Sequence, residues 1–222
     1  MSRPELRYDM IVWDWDGTLM DSTPTIVDCI QKSCADLGLP VPSNDLASHV
    51  IGLGLPEALR IAVPAITPKQ HPELVNRFRY YYLAKDHELH LFGGARELLT
   101  QLKDRGHYLA VATGKNRMGL NRSLKFHQLE QMFTDTRTAD ETRSKPDPQM
   151  LIELSESLMI PYEKILMIGD TSHDLDMARN AGVDAVAVTY GAHPANALRK
   201  LNPIACVDTV EALSDFLLGI SS

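Results

Sequence analysis

Short apolar runs of strand length recur along the chain, and most are followed by residues whose apolar positions return at helical spacing. The first run, YDMIVWD (8–14), is apolar almost throughout, as a strand covered on both faces requires. After it, STPTIVDCIQKSCADLGL predicts a helix with Thr23 as its cap and Pro24 at the first helical position; Ile26, Ile30 and Leu37 keep to one face. The alternation resumes with a helix over 95–106 that stops at Gly106, a strand HYLAVAT (107–113), a helix over 116–127 and a short strand near FTDTRT. A helix over 148–159, a strand KILMIGD (164–170), a helix over 174–181 and a strand DAVAVTY (184–190) follow; ACV is the strand of a last helix–strand–helix set. Strands separated by helices of this length imply right-handed crossovers, hence an α/β fold with a doubly wound parallel sheet. Residues 20–91 interrupt this rhythm with helical patterns, breaks at LPVPSND, IGLGLP and VPAITPKQHP, and no strand pattern. They are expected to form an inserted all-helical cap on a core made of 1–19 and 92–222.

Composition narrows the field without choosing a function. With 222 residues, 44% hydrophobic and 23% charged, the chain can bury a core of ordinary globular size. A net charge of -7 argues against nucleic acid and anionic membrane as partners, since both call for a basic surface. No apolar run reaches the length of a membrane span, and MSRPELRYDM lacks the hydrophobic block of a secretion signal. The three cysteines, Cys29, Cys34 and Cys206, form no CxxC pair, which fits reduced thiols in a cytoplasmic protein. The eight histidines show no ligand spacing such as HExxH, so a catalytic zinc is not expected. Oligomeric state has no signature here.

Chemistry enters where the apolar runs end. Open α/β sheets bind ligands at the carboxyl ends of their strands, near the switch in strand order. The first strand ends at Asp14 with Asp16 just beyond, and side chains two apart in an extended chain share a face. At about 5 Å and an effective dielectric near 20, two such charges repel by roughly 3 kcal/mol, so something must neutralise them. The second strand ends VATG, with Thr113 at the edge and Gly114 in the turn. Lys145 stands before Pro146 in SKPDP, and Asp170 stands at the tip of the strand in IGDTSHD with Asp174 one helical turn on. Phosphoryl transfer uses each of these types. A carboxylate can attack phosphorus, a second can move the proton of the leaving oxygen, a lysine and a hydroxyl can bind phosphoryl oxygens, and clustered carboxylates suit Mg2+.

The four segments DWDGTL, VATG, KPDP and GDTSHD, in this order and each at a strand end, resemble the signatures of the haloacid dehalogenase-like hydrolase superfamily. Among its members the chain is most similar to phosphoglycolate phosphatase-like enzymes with a helical cap inserted after the first motif. The resemblance covers nearly the whole chain. It implies a Rossmann-like core and Mg2+-dependent hydrolysis of a small phosphorylated metabolite through a phospho-aspartate. Carried over, Asp14 is the nucleophile, Asp16 the general acid and base, and Thr113 and Lys145 hold the phosphoryl group. Mg2+ is held by Asp14, the backbone carbonyl of Asp16, and Asp170, with Asp174 in or beside the shell; Gly17 and Thr18 supply turn and phosphate contacts. Asp16 favours a phosphatase over a dehalogenase, because an ester oxygen needs a proton on leaving and a halide does not.

Other readings stay open. A phosphosugar mutase or a pyrophosphatase would use the same core, and a non-catalytic phosphate-sensing protein would use the same binding groups. Asp174 has a second reading as a helix-capping acid. Gly114 and Lys115 are candidates to touch substrate, as are Asn116 and Arg117, although a solvated helix start explains the last three as well. IGLGLPEAL fails the dinucleotide pattern because Glu57 replaces the third glycine, and TGKN fails the P-loop pattern because Leu109 stands where a glycine is needed. Residues 52–57 are candidates for substrate selection within the cap, and Tyr80, Tyr81 and Tyr82 are expected to pack its helices. Gly93 stands where related sequences carry proline, which predicts a more flexible hinge.

Overall fold

The computed structural model describes residues 7–220; Met1–Leu6, the start of the segment read above for a secretion signal, lies outside them. Six strands, β1 (Met10–Trp13), β2 (Tyr108–Thr113), β3 (Asp135–Thr138), β4 (Ile165–Gly169), β5 (Asp184–Val188) and β6 (Ala205–Val207), form one sheet ordered β3-β2-β1-β4-β5-β6 with every pairing parallel. The sequence between β1 and β2 forms α1 (Thr23–Asp36), α2 (Asn44–His49), α3 (Leu55–Ala62), α4 (His71–Lys85), a short 3-10 turn and α5 (Ala95–Asp104). The remaining crossovers carry α6 (Arg117–Phe126), α7 (Gln149–Leu158), α8 (Ser172–Ala181) and α9 (Ala195–Arg199), and α10 (Val210–Ile220) follows β6.

Alternation within the buried strands assigns the two faces. Ile11, Trp13, Leu109, Val111, Leu166, Ile168, Val186 and Val188 belong to one apolar cluster with Leu98, Leu102, Leu213 and Leu217 of α5 and α10. Their neighbours Met10, Val12, Ala110, Ala112, Ile165, Met167, Ala185 and Ala187 pack with Met150 and Leu154 of α7 and Leu175 of α8. The first cluster also includes Ile30, Leu59, Leu74 and Phe78 from α1, α3 and α4. Among the described residues, 20–91 contribute four α-helices and no strand longer than a single bridge. The two ends of this stretch run side by side: Asp21 N donates to His90 O at 3.0 Å and Phe92 N to Leu19 O at 2.9 Å. These bonds pin the stem directly before Gly93.

Two helix starts differ from expectation, for one reason. Neither Ser22 nor Thr23 caps α1 with its side chain; the Ser22 hydroxyl donates to Asp16 Oδ1 at 2.7 Å instead. Helix α8 begins at Ser172 rather than 174, because Thr171 and Asp174 form a reciprocal capping box that apolar periodicity does not register. In both places polar side chains near the sheet edge set the geometry.

Trp15 follows β1 on the face of the larger cluster, edge-on to Phe133, and its indole N–H donates to Ser123 Oγ at 3.2 Å. Replacing Ser123 with Ala strands that donor in a buried setting. The expected loss of unfolding free energy in a denaturant titration is about 1–3 kcal/mol, with the slope unchanged.

Candidate active site

The sheet order reverses between β1 and β4, and the candidate residues gather where these strands and β2 end. Asp14 is still tied to the sheet, its N–H donating to Ile168 O at 2.9 Å. Beyond it the chain turns at Gly17, whose φ of 83° suits glycine and where a Cβ would collide with the Asp170 carboxylate. Asp14, Asp170, Asp174 and Lys145 are all buried, and Lys145 is 0% exposed. Lys145 Nζ donates to Asp14 Oδ1 at 2.6 Å and lies 2.6 Å from Asp174 Oδ1, the latter contact off the axis of a hydrogen bond. Asp170 accepts from the Thr18 hydroxyl at 2.8 Å and from Ala192 N–H at 2.7 Å.

Electrostatics follow from this crowding. Burial pushes the Asp14 carboxyl well above the usual range; Lys145 opposes the rise, and Asp174 and Asp170 add to it. Asp170 is pushed up to about 7, first by burial and then by Asp174. For Lys145 burial acts to lower the pKa, but attraction to Asp14 and Asp174 prevails, and the ammonium is held more firmly than a free lysine.

Asp16 does not join this cluster. Its Oδ1 accepts from Ser22 and lies 3.1 Å from Lys115 Nζ, and the same amine donates to Tyr82 OH at 2.7 Å. Asp14 and Asp16 thus meet different lysines, Lys145 and Lys115, where the sequence reading placed the two carboxylates on one face. Lys115 is nearly buried, with its charge stabilised by Asp16 and Tyr82 against the cost of burial, so it is not a solvated helix residue. Tyr82 lines the same cavity as Asp14 rather than only packing helices. Thr113 Oγ1 accepts the Lys115 N–H at 3.2 Å, and a Cβ on Gly114 would overlap the carbonyls of Gly52 and Leu53. Asn116 caps α6 by accepting from Gly119 N–H, and Arg117 turns to Glu141 and Thr136.

Three observations suit a hard divalent cation. Asp14, Asp170 and Asp174 each offer an oxygen, all within 4.8 Å of one another, and Asp14 Oδ2 is buried without a hydrogen-bond partner. An all-oxygen carboxylate set is what Mg2+ takes. Asp174 has a second duty, because its Oδ2 accepts from both the N–H and the hydroxyl of Thr171. Capping acid and cluster member are therefore one residue, and the two readings of Asp174 do not exclude each other.

Sequence spacing misses a further cluster. His49 ends α2, His173 stands in the first turn of α8, and His193 follows β5; their ligand atoms also lie within 4.8 Å of one another. The imidazoles of His173 and His193 meet His49 O at 2.8 and 3.0 Å, and His193 Nδ1 accepts from Ser172 N–H at 3.0 Å. His193 therefore carries its proton on Nε2 and has both nitrogens engaged. Burial lowers His173 and brings His193 down to about 4. These rings tie the end of α2 to the sheet edge. Above that edge lies a cavity of about 430 Å³, with Asp14, Asp16, Thr113 and Lys115 on one side and residues of α1, α3 and α4 on the other.

The raised Asp170 pKa has a measurable consequence in chelator. A carboxyl at about 7 when folded and near 4 when unfolded contributes stability that is complete below pH 4 and lost as pH rises through 7. Asp170→Asn removes this titration, so relative to wild type it should gain roughly 2 kcal/mol between pH 5 and pH 8. Thermal or denaturant unfolding at the two pH values checks this, and Mg2+ should stabilise only the wild type. The acceptor lost toward Ala192 or Thr18 shifts both values equally and drops out of the comparison.

Comparison with known proteins agrees with this geometry. The pattern described as haloacid dehalogenase-like hydrolase matches residues 11–188. Tyrosine-protein kinase PtkA of Mycobacterium tuberculosis is 33% identical over 86% of this chain; the match spans 65% of that relative, so the chain covers just under two thirds of it. Phosphoglycolate phosphatase of Vibrio cholerae is 28% identical, covering 94% of this chain and 96% of that one. The crystal structure of a hydrolase from Pseudomonas syringae shares the fold at a TM-score of 0.87, with 23% identity and coverage of 96% and 99%. Fold, site and matched pattern together make the chain a member of the haloacid dehalogenase-like hydrolase family.

Proposed function

We propose that the chain is a Mg2+-dependent phosphatase that hydrolyses a small phosphate monoester through a phospho-aspartate on Asp14. The observation that carries this reading is the state of the Asp14 carboxylate. One oxygen is fixed by Lys145, the other is buried and unpartnered, and the residue lines the cavity. In the first step the Asp14 carboxylate attacks phosphorus, the ester P–O bond breaks, and Asp16 gives a proton to the departing oxygen. In the second, Asp16 takes a proton from a water that attacks the phospho-aspartate, the bond to Asp14 breaks, and inorganic phosphate leaves. Ser22 and Lys115 orient the Asp16 carboxylate for both transfers. The Thr113 oxygen accepts a backbone N–H, so its own proton is free to donate to a phosphoryl oxygen.

Asp14, Asp170 and the backbone carbonyl of Asp16 would hold Mg2+, with Asp174 anchoring Lys145 at the shell's edge. Bound there, the ion would neutralise phosphoryl charge. Residues 20–91 would act as the cap. Relatives named phosphoglycolate phosphatase make phosphoglycolate the first ester to assay. No helix among the described residues is long and apolar enough to cross a membrane, and a cytoplasmic site of action fits the free cysteines.

Phosphate release from an ester panel, with Mg2+ and with chelator, tests the proposal. Asp14→Asn should abolish release while the unfolding midpoint and circular dichroism stay those of a folded protein; a rate near wild type would remove the nucleophile. Asp16→Asn should slow esters with poor leaving groups by about 10²- to 10⁴-fold and aryl esters much less. An equal, small loss across all esters would contradict the acid-base role. Phosphoryl transfer to a hydroxyl, as the name of PtkA, a tyrosine-protein kinase, suggests for that relative, would consume donor without releasing phosphate.

A further inference from the structure

The cavity above Asp14 is too large and too apolar for a two-carbon acid. At the roughly 30 Å³ a water occupies in the liquid, its 430 Å³ would hold about fourteen waters, and a phosphoryl group with two more carbons fills only a part of that. Beyond the strand ends the walls include Ile26 and Ile30 of α1, Val50, and Phe78 of α4, nearly buried, while Asn116 and Asp140 in the lining are bonded to Gly119 N–H and Arg117 N–H. At the rim stand Leu83 and Met118, which are 51% and 76% exposed, large apolar side chains left in water at the mouth of a cleft.

An open cap does not account for the size. Helices α1 to α4 already touch the sheet edge: Gly54 N–H donates to Ser144 Oγ at 2.9 Å, Lys115 reaches Tyr82, and Arg122 pairs with Asp86. The loop at Gly52 and Leu53 lies so close to Gly114 that a methyl group would not fit. The volume therefore belongs to the docked arrangement. Cations do not mark it as a carboxylate site either. Lys115 and Arg122 in the wall are paired with Asp16 and Asp86, and Arg79, the remaining arginine, is exposed.

From this we infer that the alcohol released is apolar, with a hydrocarbon body about the size of a Phe or Leu side chain, rather than a carboxylated two-carbon fragment. The inference rests on the phosphatase reading for the phosphoryl end alone. The body lies along Ile30 and Phe78 and covers Leu83 and Met118, while the phosphoryl group faces Asp14.

Binding can be read without turnover. Calorimetry with Mg2+ and n-alkylphosphonates from methyl to hexyl should give dissociation constants that fall about fourfold per methylene, so that hexylphosphonate, four methylenes longer, binds about 250-fold more tightly than ethylphosphonate. Phosphonoacetate, which presents a carboxylate at the same place, should bind more weakly than propylphosphonate. Leu83→Asp and Met118→Asp, at exposed positions that tolerate a charge, should each cut the hexyl-to-ethyl ratio by tenfold or more, a ratio taken within one protein. A flat series, a preference for phosphonoacetate, or ratios unchanged in both variants would overturn the inference. Hydrolysis separates the two claims. A steep binding series with no phosphate released from hexyl phosphate sinks the phosphatase and leaves the apolar site standing; release from phosphoglycolate with a flat series does the reverse.

Discussion

A single ammonium group, Lys145 Nζ, sits fully buried between Asp14 and Asp174 at 2.6 Å from each, and the sheet edge is organised around it. Removing ions from water costs several kcal/mol apiece, and attraction repays this only with good geometry and matched charge. Here the match is incomplete: three buried carboxylates face one ammonium, leaving two negative charges that no protein cation balances. Burial first, and then the neighbouring carboxylates, raise the pKa values of Asp14 and Asp170, so that both hold protons more tightly than free carboxyls. A divalent cation carries the charge that would relieve it. A stable arrangement that served packing alone would have replaced the cluster by apolar residues of similar volume.

The fold tolerates such a cluster only at one place. Along β1 and β4 every side chain enters one of two apolar clusters, so a charge within either strand would be stranded. One residue past the last ladder pair, the chain is still held by a sheet hydrogen bond, yet its side chain meets turns from neighbouring units rather than a helix face. Asp14 occupies that position on β1, and Asp170 follows Gly169, the last ladder residue of β4. That is why they were legible in the sequence: each is the first charge after an apolar run, and a buried strand offers no bland reason for it. Alternation likewise made the six strands readable to within a few residues.

What escaped the sequence did so for identifiable reasons. The rule that residues two apart share a face holds only while the chain is extended, and β1 ends at Trp13. The turn through Gly17 carries the Asp16 carboxylate away toward Ser22 and Lys115. Thr23 looked like a helix cap because hydroxyls before a helix usually are; the helix instead starts at Thr23, and the Ser22 hydroxyl at the cap position turns to a buried carboxylate. Tyr82 lay in an aromatic run that reads as packing, and only the approach of α4 to the sheet edge gives its hydroxyl a lysine. His49, His173 and His193 are far apart in sequence, so no spacing rule could join them.

These missed contacts share a location, the seam between residues 20–91 and the sheet. The end of α2 leaves a backbone carbonyl at His49 that no helical N–H can reach, and two imidazoles from the sheet side meet it. Lys115 does the same for α4 while also touching Asp16. One amine thus joins the position of the helices to the orientation of the acid expected to move protons. If α4 withdrew, Lys115 would lose the Tyr82 hydroxyl, and the Asp16 carboxylate would lose the constraint that this amine's fixed position imposes. Seating of the helices and readiness of the acid are then one structural condition, carried by a side chain whose burial is balanced only when both partners are present.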